Sequence, residues 1–486
     1  MSTYTTYFIR SLQKYCNGFP ANSNLPDHFG SQSVGTEWDN ALRINYGSGA
    51  VEEVPVPLHS VFEFLKTGEA NASPFGFYPL SLEEKHIFPA GEKGKFDDLV
   101  TGFKSEWPKL LKLKPEAFGD TLLYLSKKYF SNTGFSPRFP HISLHEHLKT
   151  TAALADCLGR SENRQILLVG AGLDNIQGFC YDIVSSKAAK SLKGRSFFLQ
   201  MLLDTMLQEI IAHPVINASL GHVIYARGGK MYLLLPGRSD SKDSLQKISV
   251  SISENFWQHF KASLHGFLEF EEIDPAESNP AKEAWQRLDT KIKYAKNRRW
   301  SHLFTFERFD LLFSPIAEGG TNLDASQAES GQVGKKMCRV TGEIIDNPGL
   351  DNILEEDGDT GQKIYVSDFV KFQATLAEGI RDAEQYYWLE SNTEQSVQKS
   401  FFTGSVKFVS LPDDRFSGRS WNHARNDFKR NIRWSINPSD NFLPDQPEEI
   451  SYGFVFYGGN DQATVFEKNK TPPERIKFFH ELAGLE

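Results

Sequence analysis

The sequence predicts an α+β protein of several domains, and three observations support that fold class. The chain has 486 residues, of which 40% are apolar. At roughly 150 residues per domain, this chain is too long to form one hydrophobic core. Residues 144–160 repeat leucine and alanine at helical spacing, and residues 165–236 alternate a strand, a long helical tract and a hairpin. We therefore expect four segments: a helical segment at 1–160, an α/β segment at 161–275, a helical region with loops at 276–400 and a strand-rich segment at 401–486.

Composition and charge exclude several classes of protein. The 53 basic and 62 acidic residues give a net charge of −9, which argues against a protein that coats nucleic acid over its whole surface. Neither a run of roughly 18 apolar residues nor a signal-peptide pattern is present, so we expect a cytoplasmic protein without membrane contact. The four cysteines are too scattered for a disulfide framework or a four-cysteine zinc site.

The α/β segment carries the most informative pattern of the chain. QILLVGAGLDNI predicts a strand, SSKAAKSLKGRSFFLQMLLDTMLQEIIAH predicts a long helix interrupted near Gly194, and HVIYARGGKMYLLLP predicts a hairpin that turns at Gly228 and Gly229. This order opens a ferredoxin-like βαββαβ unit. The next tract, SISENFWQHFKASLHGFLEF, predicts further helix, as do residues 280–300 and 367–386.

Glycines in the first strand bear on two hypotheses for nucleotide binding. Gly170-x-Gly172 suggests a dinucleotide-binding loop, but Asn175 replaces the third glycine of that motif. The segment is closer to the first strand of a polymerase or cyclase palm, whose paired metal ions need acids at the strand end and in the hairpin turn. Those positions hold Gly172 and Lys230 here, with only Asp174 nearby. We therefore expect a palm that holds no metal and has no activity of its own, or a purely structural βαββ unit.

A basic cluster lies just before or at the start of the long helix, where the helix dipole disfavours cations. A bound phosphate would remove that conflict, with Ser196 as the helix cap and free backbone N–H groups beside it. Solvated surface lysines are the alternative. The candidate contacts to ATP are residues of this cluster together with the hairpin glycines: Lys187, Lys190, Arg195, Ser196, Gly228 and Gly229.

Three segments together resemble one protein family. SLHEHLKTTAALADCL, LLVGAGLDNIQGFCYDIVSSKAAKSLKGRSFFLQ and VIYARGGKMYLLLP, which span about 95 residues, resemble the large palm-containing subunit of type III-A (Csm-type) CRISPR effector complexes. The resemblance implies an HD-like helical domain at 1–160, a degenerate first palm at 161–275 and a zinc-bearing element within 276–400. It also implies a second palm whose GGDD motif makes cyclic oligoadenylates, approached by the segment 401–486. The implied partners are other Csm-type subunits, CRISPR RNA and target RNA.

Several residues depart from that family's pattern. His147 in SLHEHLK matches a histidine of the HD domain, but none of the 13 histidines is followed by aspartate, so we expect a packed remnant and no nuclease. The motif Cys338-Arg-Val-Thr341 lacks the second cysteine of a zinc site, so no zinc is expected. The stretch Tyr457-Gly-Gly-Asn-Asp461 differs from GGDD by one residue, but it lacks an acid-ended strand and a long helix upstream, and we interpret it as structural.

The resemblance also places a catalytic strand shortly beyond Glu486, where the chain stops. We therefore expect a separate GGDD-bearing polypeptide to complete the large subunit and to hold any Mg²⁺, while this chain contributes a scaffold and half of an ATP site and no catalytic residue. One alternative is a nucleotidyl cyclase that uses Asp461 and Asp174, which the residues at Gly172 and Lys230 argue against. Another is a purely structural subunit without nucleotide contact.

Two further basic sets are candidates for contact with RNA phosphates, although solvated helix faces explain them as well. The first set lies in ten residues without an acid, and the second lies in the strand-rich segment: Lys291, Lys293, Lys296, Arg298 and Arg299, and Arg425, Lys429, Arg430 and Arg433.

Overall fold

The structure is a computed structural model that describes part of the chain. The described residues are 3–16, 35–47, 51–59, 76–80, 94–111, 115–161, 163–181, 188–260, 263–277, 280–306, 335–342, 344–356, 361–371, 373–374, 385–390, 406–411 and 432–435. The predictions made for Lys187, for the basic residues 425–430 and for Tyr457–Asp461 lie outside these ranges, as does the side chain of Lys190.

The described residues of the N-terminal part are helical, and their central element is the helix at residues 144–160. Its helices are α1 (Thr3–Tyr15), α2 (Gly35–Tyr46), α3 (Phe96–Leu110), α4 (Pro115–Phe130) and α5 (Leu144–Arg160). Ser143 caps α5 by accepting a hydrogen bond from the backbone N of Glu146. Leu144, Leu148 and Ala152 are fully buried, so α5 packs its apolar stripe against α1, α2 and α4. The short strands β1 (Val56–Pro57) and β2 (Thr133–Gly134) pair beside it.

A four-stranded antiparallel sheet, called the central sheet below, is the largest sheet among the described residues. Its strands are β3 (Ile166–Asp174), β4 (Val223–Arg227), β5 (Lys230–Pro236) and β6 (His265–Ile273), in the order β4-β5-β3-β6. The helices α6 (Ile176–Tyr181) and α7 (Ala188–Ile211) follow β3, and α8 (Ser239–Phe260) links β5 to β6. The connectivity is therefore βαββαβ, and the predicted hairpin at Gly228 and Gly229 is confirmed.

Side chains of β3 alternate between two cores. Leu167, Val169 and Leu173 pack with α7 and α8 on one face, whereas Ile166 and Leu168 join the core of α1 to α5 on the other. The helix α9 (Pro280–Asn297) covers that second face with Ala284, Leu288 and Ile292. The βαββαβ unit, called the palm below after the fold that the sequence predicts, therefore shares one continuous core with the helical part.

Three predicted elements differ from the structure. The helix α7 runs through Gly194 without a break, because Gly194 is buried against neighbouring elements and needs no special backbone conformation. The predicted helix after Ser251 ends at Phe260, and His265–Ile273 forms β6 because it pairs with β3 over its whole length. The predicted helix at 367–386 is helical at 368–371 and 373–374, but Gln385 already lies in a strand.

The C-terminal part contributes small antiparallel units. The strands β7 (Lys335–Met337) and β8 (Ile344–Asp346) form one pair, and β9 (Ile353–Glu356) and β10 (Lys363–Tyr365) form another. The strands β11 (Gln385–Glu390), β12 (Val406–Leu411) and β13 (Ile432–Ser435) form a three-stranded sheet in the order β12-β11-β13. Across the described ranges, no helix is long and apolar enough to cross a membrane.

Candidate functional site

The candidate site lies at one end of the central sheet, where β3 ends and the β4–β5 hairpin turns. The register places Gly172 of β3 beside Lys230, the first residue of β5. Gly228 and Gly229 form the turn with φ angles of 60° and 80°, a region that glycine enters without steric cost. The backbone N of Leu173 donates to the carbonyl of Gly229 over 2.7 Å, which fixes the turn against the strand end.

Close packing at Gly172 explains why this strand carries no acid at that position. A Cβ on Gly172 would stand 2.3 Å from the carbonyl oxygen of Gly229 and 3.0 Å from the Cα of Lys230. Both neighbours are backbone atoms, so a larger side chain requires the hairpin to move. The predicted absence of a first-strand acid therefore has a steric basis in this fold.

The nearby acid, Asp174, is already bound by cations. Arg299 donates from Nε to Oδ2 of Asp174 over 2.8 Å, and Nζ of Lys296 lies 3.9 Å from Oδ1. Lys296 also stands over the ring of Phe267, 4.7 Å from its centroid. Within the described part of the chain, no group of three or more His, Cys, Asp or Glu side chains could hold a metal ion. Asp174 is therefore an ion-pair partner in this arrangement.

We call Lys230, Lys296 and Arg299 the basic end of the palm. Lys296 and Arg299 face Asp174, and Lys230 lies beside Gly172, two residues before it. Burial lowers the pKa of Lys296 most, and the positive charges of Lys230 and Arg299 lower it further, against the opposing effect of Asp174 and Asp289. Three cations therefore stand near one another at this end of the sheet. An excess of positive charge at the end of a sheet is suited to a phosphate-bearing ligand.

The predicted contact of Arg195 with a phosphate does not agree with its position. Arg195 is 2% exposed, its Nε donates to Oε1 of Gln373 over 3.0 Å, and its Nη1 donates to the carbonyl of Phe179. Its guanidinium also stacks on the Phe179 ring at 4.8 Å. The prediction that Ser196 caps the helix is wrong, because α7 begins at Ala188 and Ser196 lies in its third turn.

The basic set on α9 is mostly neutralised by acids that lie elsewhere in the sequence or one turn away. Lys291 pairs with Glu271 at 2.6 Å, and Lys293 pairs with Asp289 at 2.6 Å. Arg298 stacks on Tyr294, 4.6 Å from its centroid. Two of these side chains are therefore paired with acids, whereas a tyrosine ring does not neutralise the charge of Arg298.

His147 lies buried in the helical part, as a packed residue. Its ring stacks on Phe135 with centroids 3.9 Å apart, its Nε2 lies 3.0 Å from Oε1 of Glu53, and its Nδ1 lies 2.9 Å from the hydroxyl of Tyr46. Because a carboxylate only accepts, Nε2 carries the proton and Nδ1 accepts from Tyr46. Burial lowers the pKa of His147, so the imidazole stays neutral.

The carboxylate of Glu53, which contacts His147, also receives hydrogen bonds from two other side chains. Lys14 lies 3.3 Å from Oε2 of Glu53, and the hydroxyl of Tyr15 donates to Oε1 over 3.2 Å. Burial opposes the ionisation of Glu53, but the hydrogen bond from His147 and the charge of Lys14 lower its pKa overall. An ammonium therefore stands beside this carboxylate. Sequence spacing could not reveal the group, because Glu53 and His147 are 94 residues apart.

Cys338 lies in the short unit that resembles a zinc motif. It is 1% exposed, and its Sγ accepts a hydrogen bond from the backbone N of Thr341 over 3.4 Å. Gly342 follows with a φ of 71° and donates its N–H to the carbonyl of Cys338. The turn thus keeps a tight shape by backbone hydrogen bonds around one thiol.

Sequence reasoning missed two residues of the basic end of the palm. It singled out Lys230 only as a residue that cannot bind a metal, and it assigned Lys296 and Arg299 to a possible RNA-binding face. The available signal was their position at the end of the predicted helix 280–300, next to the α/β segment. No sequence spacing shows that this helix end returns to Asp174, 125 residues earlier than Arg299.

Comparison with known proteins places this site within a described domain. Residues 165–315 match the family model described as "Csm1 subunit domain B". That range begins with β3 and includes the sheet, α9 and every residue of the basic end of the palm.

Relatives are similar over a larger part of the chain. The CRISPR system single-strand-specific deoxyribonuclease Cas10/Csm1 (subtype III-A) of Enterococcus italicus is 24% identical over 298 residues, which are 54% of this chain and 38% of that protein. The protein of the same description from Mycobacterium tuberculosis is 27% identical over 330 residues, 60% of this chain and 39% of that protein. The chain thus spans about two fifths of the length of these relatives.

A solved structure supports the fold. The crystal structure of a Csm1-Csm4 cassette in complex with one ATP aligns with a TM-score of 0.54 and 15% identity, covering 85% of this chain and 47% of that one. Together these comparisons support a relationship to the large Csm1/Cas10 subunit of subtype III-A systems.

Proposed function

We propose that this chain is part of the large subunit of a type III-A CRISPR effector complex and that its palm forms half of a composite ATP site. The observation that carries the proposal is the match of residues 165–315 to Csm1 domain B, which coincides with the βαββαβ unit and its basic end. Other Csm-type subunits, CRISPR RNA and target RNA are the proposed partners.

The charge distribution supports binding without catalysis by this palm. Gly172 leaves no space for a metal-holding acid, and Asp174 is held by Arg299 and Lys296. Phosphoryl transfer needs metal ions that are bound by acidic side chains. A second palm with the GGDD motif therefore has to bind Mg²⁺ and to catalyse the synthesis of cyclic oligoadenylates. The role of this chain is to bind and orient the nucleotide phosphates.

The proposed contacts to ATP are residues that a ligand can reach at the end of the sheet. They are the backbone of Gly228 and Gly229 in the hairpin turn and the side chains of Lys230, Lys296 and Arg299. Arg195 is not among the proposed contacts, because a phosphate could reach its guanidinium only after the hydrogen bonds to Gln373 and Phe179 were broken. A contact from Lys187 or Lys190 stays a prediction.

Reconstitution tests the proposal. Csm-type subunits, guide RNA, target RNA and a GGDD-bearing palm are combined with or without this chain, and cyclic products are measured from ATP. We expect product only when the chain is present, and we expect Lys230→Gln to raise KM for ATP. Unchanged synthesis without the chain would contradict the proposal.

A second candidate function is a purely structural subunit, and the burial of Arg195 favours it. In that case the complex requires the chain for assembly, but KM for ATP is the same with wild-type protein and with Lys230→Gln. The same reconstitution therefore separates the two functions.

A further inference from the structure

The basic end of the palm already holds one anion, the carboxylate of Asp174. Its two oxygens face different cations: Oδ2 accepts from Nε of Arg299 over 2.8 Å, and Oδ1 lies 3.9 Å from Nζ of Lys296. Arginine and lysine bind the phosphate oxygens of nucleotides in the same way as they bind this carboxylate. The protein itself therefore supplies an occupant for these cations.

This occupant satisfies the cations only in part. Arg299 uses Nε alone, and its two Nη groups form no hydrogen bond with the residues that the structure describes. Lys230 is exposed and forms no ion pair within the same described ranges. The next acid, Asp289, is engaged by Lys293 at 2.6 Å. Donor capacity and positive charge are left over for a ligand with more oxygens than one carboxylate.

The ion pair is also easy to exchange. The side chains of Arg299 and Asp174 are 38% and 16% exposed, and ion pairs in contact with water contribute little to stability. A phosphate that engages both Nη groups forms the stronger, forked arrangement with arginine. Exchange of the carboxylate for a phosphate is therefore favourable at the arginine.

Backbone conformation holds the two partners opposite each other. Asn175, directly after Asp174, has a φ of 67°, and Trp300, directly after Arg299, has a φ of 56°. Asn175 donates to the carbonyl of Ser263 over 2.9 Å, and Trp300 packs edge-on against His265. The left-handed region is unusual for tryptophan, and such strain is retained where the surrounding structure enforces it, often at functional sites.

We propose that Asp174 is a built-in competitor for the phosphates of the ligand. A triphosphate binds Lys230, Lys296 and Arg299 by displacing the Asp174 carboxylate, so the empty half-site is closed by its own acid and opens only to a polyanion. This inference rests on the proposed nucleotide-binding function and adds its regulation.

Calorimetric titration of the full chain with inorganic tripolyphosphate and with ATP tests the proposal. Removal of the competing charge in Asp174→Asn should tighten the binding of both ligands about tenfold, as expected for one unit charge a few ångströms from the bound phosphate. The matched control is Asp240→Asn, which makes the same change in net charge at the Arg238 pair just beyond the opposite end of β5, and its affinity should equal that of wild type. Adding Arg299→Gln to Asp174→Asn should reverse the gain.

The outcomes separate the competitor from the site. Equal affinities of Asp174→Asn and wild type, with binding weakened by Arg299→Gln, would overturn the competitor role and leave the nucleotide site intact. ATP binding that neither Arg299→Gln nor Lys230→Gln changes would refute the site and with it the proposed half-site. If single-stranded RNA displaced tripolyphosphate while ATP did not, the nucleotide assignment would be wrong.

Discussion

Arg195 and Gln373 are 178 residues apart in the chain and are joined by a hydrogen bond of 3.0 Å from Nε to Oε1. The bond lies beside an aromatic cluster in which Phe369 packs against Phe179 and Phe198 of the palm. Residues 368–371 and 373–374 are thus held against α6 and α7 by one buried cation and one aromatic ring. The cation that the sequence suggested for a phosphate serves a contact between two parts of the chain.

Replacing Arg195 should loosen this contact. Arg195→Ala removes two charge-assisted hydrogen bonds and should cost about 1.5–3 kcal/mol per bond lost. Hydrogen exchange at residues 368–371 and 373–374 should accelerate, whereas Lys193→Ala, two positions earlier on the same helix as Arg195, should leave it unchanged. Exchange that is equally slow in both variants would show that Arg195 does not hold this segment.

Restoring an acid to the first palm strand should not restore a metal site. Gly172→Asp places a side chain against the Gly229 carbonyl, and such overpacking costs about 1–3 kcal/mol. We expect a lower urea midpoint and no Mn²⁺ binding by calorimetry. The control is Gly228→Asn in the same turn, because asparagine tolerates positive φ and the nearest atom to a Cβ there is 3.7 Å away. Metal binding by Gly172→Asp would refute the steric explanation.

His145 should make stability depend on pH. Burial lowers its pKa from 6.5 to about 3, and its Nδ1 lies 2.7 Å from the hydroxyl of Ser126. The unfolded chain therefore takes up a proton below about pH 6.5 that the folded chain refuses, so stability is full above that pH and falls as the pH falls, by about 1.4 kcal/mol per pH unit.

The test compares slopes and not absolute stabilities. The free energy of unfolding is measured by urea titration between pH 4.5 and 6.5. Its slope against pH should be smaller in His145→Asn than in wild type by up to about 1.4 kcal/mol per pH unit, which corresponds to one proton. His213→Asn, at the end of the palm helix, serves as the control. Identical slopes for His145→Asn and wild type would disprove the assignment.

The helical part should not cut single-stranded DNA, although the relatives are described as single-strand-specific deoxyribonucleases. Glu53 is engaged by His147, Lys14 and Tyr15, so the carboxylate that contacts His147 already has an ammonium beside it. Purified protein with Mn²⁺, Ni²⁺ or Co²⁺ should leave a labelled oligonucleotide intact. Cleavage that disappears in His147→Ala would prove the prediction wrong.

Local patterns allowed correct predictions where one stretch of chain determines the outcome. The hairpin at Gly228 and Gly229 is defined by its own turn residues, and the apolar stripe of α5 is defined by helical spacing. The strand β6 was predicted as helix because HGFLEF is a short apolar run, and only its pairing with β3 decides between the two structures. The same limit applies to Asp174, whose partners come from a distant helix end.

The core shared by β3 and the N-terminal helices has a practical consequence for dissecting the protein. Ile166 and Leu168 are buried on the face of the sheet that α5 covers. A fragment that starts near residue 161 would therefore expose part of that apolar face to water. Asp156 of α5 also accepts from His222, which immediately precedes β4, over 2.9 Å and would be lost with the helix. The N-terminal helices are thus indispensable to the fold of the neighbouring sheet, and soluble expression of the isolated palm would require replacing its exposed apolar residues.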